Sequence, residues 1–369
     1  QLATTPTQYV PDMQQPREIL RQELSAAKSH HNNGKYKNPW DSFQMPTVKM
    51  LLTHFLFGSD TKPVKQSIAE GRAPEVVPLD MQVLKNPPNG GLQFTWLGHS
   101  SLFLQADGAN ILLDPVLSER CSPVQWIGPK RYTKAPCTIA ELPRIDAVVL
   151  SHNHYDHLDW NTLKDVVRQY PDVQVFAPLG NQPILQSIGF KHISIMDWWD
   201  EKDVTLNGST LRLACTPAQH ATNRGLFDRY TTLWASWVIM SPSGGKFFFS
   251  GDTSYSALVG NPTGANCPAF EQIGQVYGPI DLSAIAIGAY GPEKVFSGVH
   301  VSPEQAVKIH EEIGSRRSIG VHWGTFVLTD EPVDEPPQRL ADEMKLRGHA
   351  SDGFTVIKIG QTVVQDIQK

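Results

Sequence analysis

Ala147-Val148-Val149-Leu150-Ser151 runs without a break into His152-Asn153-His154-Tyr155-Asp156-His157, and no other feature constrains the fold of this chain so tightly. A short, continuously apolar run fits a strand covered on both faces. A strand that stops in three imidazoles and a carboxylate delivers them together at its mouth. These side chains suit Zn²⁺ and neighbouring transition metals. Alternation in the extended part lets His152 and His154 point the same way. The turn that follows can direct Asp156 and His157 to a second centre, so the string reads as parts of two metal sites. Histidine makes up 13 of 369 residues, and at that frequency such a string arises by composition on the order of 10⁻³ times per chain.

One string cannot close two sites, so further ligands must come from elsewhere. His220, Asp252 and His322 each follow a strand-like run, at 211–219, 247–251 and 318–321. A single histidine after a strand is more often structural, and the three gain meaning only beside the first cluster. Short β-branched and aromatic runs recur at 92–97, 101–105, 110–113, 146–150, 173–177, 210–215, 234–240, 246–250 and 281–287. Helical stretches lie between some of them. Ser302-Pro303-Glu304-Gln305 supplies an N-cap, a first-turn proline and a capping-box glutamine; Ala306, Val307, Ile309 and Ile313 mark an apolar face, and Gly314 stops it. A second helix follows Asp159, with Leu163, Val166, Val167 and Tyr170 at helical spacing. Strands alternating with helices in this way predict a layered α/β domain with buried sheets over residues 91–369.

Residues 1–90 differ: they are rich in Gln, Asn, Lys and Pro and form a partly helical N-terminal extension. Within it, residues 49–58 are the one greasy segment. They are too short to cross a bilayer, and two readings stand: a helix packed on the main core, or an interfacial patch.

Several classes are excluded. A net charge of −5, with no basic, aromatic-rich arm, argues against nucleic acid. Four cysteines with no CxxC pair form no dense disulfide framework. No run approaches 18 apolar residues. There is no Gly-x-Ser-x-Gly, no P-loop and no His-x-Lys pair. A chain that opens on Gln1 points to a leader removed or trimmed, and its compartment is not readable.

His152-Asn153-His154-Tyr155-Asp156-His157, Ser250-Gly251-Asp252-Thr253 and Val321-His322-Trp323-Gly324 together resemble the metallo-β-lactamase superfamily. The branch most similar is the N-acyl-phosphatidylethanolamine-hydrolysing phospholipase D family. Trp96-Leu97-Gly98-His99, Gly128-Pro129-Lys130-Arg131, Pro136-Cys137-Thr138-Ile139, Asp197-Trp198-Trp199 and Ile287-Gly288-Ala289-Tyr290 carry that finer likeness, with a weaker echo at Asn38-Pro39-Trp40. The resemblance implies an αββα four-layer sandwich holding two Zn²⁺ ions. One ion falls to His152, His154 and His220, the other to Asp156, His157 and His322, and Asp252 bridges them. Asp114 matches the superfamily's early strand-end aspartate, although an ordinary turn residue before Pro115 looks the same.

The implied activity is that of a phosphodiesterase of the phospholipase D type. A hydroxide generated between the two zinc ions attacks phosphorus in line with the departing alcohol, converting N-acyl-phosphatidylethanolamine to N-acylethanolamine and phosphatidate. Asp156 and Asp252 serve the reaction, and His300 protonates the leaving alcohol or binds phosphate. Tyr155, Gln125 and Trp126 line the substrate cleft, while Lys130 and Arg131 read as a solvated pair. The family likeness also implies a phospholipid substrate, peripheral contact with a membrane surface through the 50–57 segment, a homodimer, and no nucleic acid. Ala221 and Val299, beside His220 and His300, and an insert at 260–268 depart from the family pattern and touch substrate preference. The competing reading is a lactonase or other ester hydrolase on the same dinuclear site, since such a site polarises a carbonyl as readily as a phosphoryl group.

Overall fold

Two seven-stranded sheets stacked face to face organise the computed structural model, which describes residues 14–225, 227–261 and 263–367, the side chains of Gln14, Val48, Leu51, Leu52, Phe55 and Phe57 excepted. The N-terminal segment contributes helix α1 (Gln14–Ala27), a small hairpin of β1 (His31–Asn32) and β2 (Lys35–Tyr36), and helices α2 (Val48–Thr53), α3 (Lys62–Ala69) and α4 (Met81–Lys85). The greasy segment is therefore helical, with α2 continuing into a π-helical turn over His54–Gly58. His54 is buried there and Leu56 exposed. The side chains of Leu51, Leu52, Phe55 and Phe57, in the segment expected to contact a membrane, lie outside those described.

The first sheet is built from β3 (Gly91–Trp96), β4 (Leu102–Ala106), β5 (Ala109–Leu113), β6 (Ala147–Val149), β7 (Gln174–Pro178) and β8 (His192–Met196). Its outer face carries α4, α5 (Trp160–Gln169) and α6 (Gln182–Ile188), whose Leu84, Leu163, Val166 and Leu185 pack on Phe103, Leu112 and Val148. The second sheet holds β9 (Glu201–Leu206), β10 (Ser209–Thr216), β11 (Ser236–Met240), β12 (Lys246–Phe249), β13 (Leu282–Ala286), β14 (Ser318–Val321) and β15 (Phe354–Thr355). Helices α7 (Ala269–Tyr277), α8 (Glu293–Phe296), α9 (Pro303–Glu312) and α10 (Glu335–Leu346) belong to this half. The last strand, β16 (Thr362–Asp366), returns to pair with β3 in the first sheet.

The two sheets repeat one plan. The order β16-β3-β4-β5-β6-β7-β8 is antiparallel as far as β5 and parallel beyond it. The order β9-β10-β11-β12-β13-β14-β15 is antiparallel as far as β12 and parallel beyond it. Between the sheets Phe94 meets Phe247 edge to face at 5.6 Å and Trp96 stacks on Trp323 at 5.5 Å. Each fully buried side chain of this size contributes roughly 2–3 kcal/mol. This is the expected αββα sandwich.

Local chemistry explains the element ends. Asp159 caps α5 by accepting from Asn161 N, and Ser302 caps α9 at Gln305 N. Past α9, Gly314 adopts φ +61°, a left-handed turn that suits glycine. Strands β8, β9, β15 and β16, which the sequence did not announce, lie at sheet edges. In β9 Val204 and Leu206 are buried with Thr205 exposed between them, and β8 is only partly buried apart from Met196, so β8 and β9 form no continuous buried apolar run.

Candidate metal centre

The site lies where strands end. His99 follows β3, Asp114 follows β5, the 152–157 string follows β6, His220 follows β10, Asp252 follows β12 and His322 follows β14. Turning the chain abruptly from a strand into a ligand strains the backbone. His99, Asp114 and His322 all have positive φ, at 51°, 40° and 62°, a conformation uncommon for residues that carry a side chain. Glycine is required at 251, where φ is +54° and a Cβ would strike Ser151.

All seven residues expected from the sequence as ligands come together. Nε2 of His152 and Nδ1 of His154 are 3.0 Å apart, and His220 Nε2 lies 3.3 Å from the same His154 atom. On the other side, Asp156 Oδ2 is 3.5 Å from His157 Nε2 and 3.6 Å from His322 Nε2. Asp252 stands between the groups and divides its carboxylate between them. Oδ1 faces His157 and His322 at 3.1 and 2.9 Å, while Oδ2 faces His152 and His220 at 3.8 and 3.7 Å.

The donor set fits metal ions. Asp252 Oδ1, His157 Nε2 and His322 Nε2 are buried and crowd one another, yet none makes a hydrogen bond of acceptable geometry. They point at a shared space rather than at each other. Electrostatics agree. At His157 burial opposes the charged form, but Asp252 and Asp156 outweigh it and hold the pKa well above the ordinary value. His322 follows the same balance, burial against Asp252, and rises to about 9. The buried Asp252 and half-buried Asp156 carboxylates thus demand positive charge that a cation supplies. Burial and neighbouring imidazoles push His152 well down, toward the neutral form that ligates metal.

Three of the imidazoles, those of His157, His152 and His220, are oriented from behind, as ligating histidines require. Asp114 Oδ2 accepts from His157 Nδ1 at 2.7 Å, and Asp114 Oδ1 accepts from Ser151 N at 2.7 Å. Ser151 Oγ in turn lies 2.9 Å from His152 Nδ1, so one fully buried aspartate steadies both groups. His220 Nδ1 donates to Val299 O at 2.8 Å. The turn-residue reading of Asp114 does not account for these bonds.

His99 was missed as a site residue, although the Trp-Leu-Gly-His run had been noted. Its Nε2 lies 2.9 Å from Asp156 Oδ2, and its ligand-type atom clusters with those of Asp156, His157 and His322. The strand-end position that singled out the other histidines applies to it equally. His300 is brought in as well: its Nδ1 is buried, unpartnered and 3.8 Å from Asp252 Oδ2.

The remaining expected residues lie farther out. Tyr155 donates its hydroxyl to Arg224 O at 3.1 Å, with the Arg224 guanidinium 3.9 Å above its ring. Gln125 is occupied by the backbone of Arg120 at both ends of its amide, and Trp126 is 78% exposed. Among the described residues no hydrogen bond or ring contact joins Gln125 or Trp126 to the cluster. Arg131 corrects the expectation of a solvated pair: it is 6% exposed, because its backbone bridges Phe326 and its guanidinium lies over that ring at 5.5 Å.

The chain is similar to known proteins over most of its length. A family model described as the beta-lactamase superfamily domain matches residues 109–323. The chain is 34% identical over 278 residues, 73% of its length, to the N-acyl-phosphatidylethanolamine-hydrolyzing phospholipase D 1 of Caenorhabditis elegans, and covers 75% of that protein. The chain belongs to the metallo-β-lactamase superfamily. Within this superfamily it is a metal-dependent hydrolase, and the worm protein places it on the phospholipase D branch. It is also 32% identical over 247 residues, 67% of its length, to the mitochondrial N-acyl-phosphatidylethanolamine-hydrolyzing phospholipase D of Saccharomyces cerevisiae, and spans 50% of that protein. The isothiocyanate hydrolase from Delia radicum gut bacteria shares the superfamily fold, with a TM-score of 0.55, 17% identity, and coverage of 73% of this chain and 98% of that one.

Proposed function

We propose that the chain is a phospholipid phosphodiesterase of the phospholipase D type, releasing an N-acylethanolamine and phosphatidate from N-acyl-phosphatidylethanolamine. The observation that carries the reading is the divided carboxylate of Asp252, one oxygen toward each cluster, in a chain similar to two proteins named for that reaction. His152, His154 and His220 would hold one Zn²⁺ and Asp156, His157 and His322 the other, with Asp252 shared. Bound there, two ions supply Lewis acidity toward phosphoryl oxygens and acidify water at neutral pH.

The chain's own residues do the rest. Asp252 orients the attacking water and accepts its proton. The new bond forms between water oxygen and phosphorus, and the bond from phosphorus to the ethanolamine oxygen breaks. His300, beside Asp252, is placed to return a proton to that oxygen or to hold phosphate. At Asp156 burial opposes the charge, but His157 and His322 keep the carboxylate ionised, and His99 Nε2 aims it from 2.9 Å. Tyr155, Gln125 and Trp126 stay as proposed substrate contacts farther from the reacting atoms.

Access to lipid has candidate surfaces. Trp126 and its neighbour Ile127 are exposed side by side, at 78% and 57%, an aromatic–aliphatic pair suited to a bilayer's interface. A cavity of about 570 Å³ opens between the 49–58 segment and α8, lined by Met50, Thr53, Pro292 and Val295 with Lys49 and Lys294 at hand. Among the described residues no helix is long and apolar enough to cross a membrane, so peripheral attachment is the proposed mode.

Metal analysis coupled to hydrolysis of a synthetic N-acylated phospholipid tests the proposal. Two equivalents of zinc per chain, with N-acylethanolamine and phosphatidate as the products, are expected. A fully loaded protein that turns over lactones or simple esters but leaves the phosphodiester intact overturns it.

A further inference from the structure

His220 ends a strand but sits in a loop, and its backbone is held by a residue 182 positions earlier. Asn38 Nδ2 donates to His220 O at 2.6 Å, and Asn38 Oδ1 accepts from His220 N at 3.2 Å. A primary amide offers a donor and an acceptor on one rigid group, so Asn38 grips both polar groups of one backbone residue. The grip extends along the chain. Ser42 Oγ donates to Gln219 Oε1 at 2.6 Å, and Ser42 O accepts from Ala257 N at 3.0 Å. Gln44 lies against Gly298, where any Cβ would collide with the Gln44 carbonyl. The next residue, Val299, supplies the carbonyl that orients the His220 imidazole. One stretch of the N-terminal extension, residues 38–44, thus touches His220 through its backbone and again through the segment that holds its ring.

We propose that Asn38 is a positioning residue for the metal ligand His220, so that seating of residues 38–44 and ion occupancy of the His152, His154 and His220 group stabilise each other. The inference rests on the two-metal reading of the centre but not on any substrate. Groups that orient ligands change metal affinity by about 10–100-fold. Coupling of this kind is reciprocal: what the extension does for the ion, the ion does for the extension. The extension is then part of the centre and not an appendage to it.

The test uses the full chain loaded with Zn²⁺ and challenged with a chromogenic chelator. The wild type should release two equivalents slowly. Asn38→Ala should release one equivalent roughly 10–100-fold faster and the other at the wild-type rate. Gly298→Ala, which displaces Gln44 and with it the segment whose Val299 carbonyl holds the His220 ring, should give the same one-ion defect. Tryptic cleavage at Lys35 and Lys37 should be faster in metal-stripped wild type than in the loaded protein. The proposal is overturned if both variants keep both ions as the wild type does, if both ions leave together with loss of the thermal transition, or if cleavage ignores the metal. A wild type that takes up no zinc at all sinks the reading of the centre itself, which separates that failure from a failure of Asn38's role.

Discussion

The metal centre and the cluster around Asp197 are both built from histidine and aspartate, but to opposite ends. At the first, Asp197 accepts from His30 Nε2 at 2.6 Å, His31 Nε2 at 2.8 Å and Lys28 Nζ at 2.7 Å, and from Trp198 N at 2.8 Å. Trp198 is stacked between the rings of His30 and Trp40. Every lone pair there is spoken for, and an ammonium already neutralises the carboxylate. At the metal centre the same residue types converge as closely, yet Asp252 Oδ1, His157 Nε2, His322 Nε2 and His300 Nδ1 have no hydrogen-bond partner among the described residues. The same chemistry makes a latch when its bonds close on each other and a cation site when they close on a common point. Composition and distance alone do not distinguish the two; direction does.

The largest test of that contrast is Asp252→Asn. Removing the charge shared by both groups should lower turnover by at least about 10³-fold with circular dichroism unchanged; near-normal rates would remove Asp252 from the bridging position. His300→Ala should cost on the order of 10²-fold in turnover while two equivalents of metal stay bound, and a rate equal to the wild type's would make His300 structural. Next comes Asp114→Asn, which leaves His157 and Ser151 without their anionic acceptor. It should weaken metal affinity by about 10–100-fold, measured by competition with a chelator.

At the latch the expected result is reversed. Asp197→Asn should destabilise the fold by roughly 3 kcal/mol, read from denaturant unfolding, and change zinc retention less than threefold. Its pH dependence follows from the same groups. Burial, only partly offset by Asp197, depresses His30. At Asp197 burial acts upward but the His30 and Lys28 bonds prevail, and the carboxyl titrates well below its ordinary value. Both shifts are downward, so in both cases the unfolded chain binds protons first as pH falls. The latch contribution is complete above about pH 6.5 and declines below it, first through His30 and then, under about pH 3.9, through Asp197. An unfolding free energy in the Asp197→Asn variant with the same acid slope as the wild type would contradict this.

Much of the centre was legible because the chemistry is concentrated. The string from 152 to 157 carries four ligand-type side chains in six residues, and the apolar run before it marks a buried strand whatever surrounds it. His220, Asp252 and His322 were readable because each also ends such a run. His99 ends one too, but a lone imidazole says nothing of Asp156, 57 residues away. Arg131 was misread because a guanidinium is ordinarily solvated, and only the pairing of its backbone with Phe326 draws it inward.

The sequence by itself determined the layered α/β class, the strands that are apolar on both faces, and the residues able to hold cations, because periodicity and ligand chemistry are local properties. Only the tertiary structure decided which of them face one another: that Asp252 turns an oxygen to each group, that Asp197 closes a latch, and that Asn38 reaches His220. Those outcomes depend on the stacking of two sheets and on contacts between residues far apart along the chain, and no local pattern encodes a direction in space.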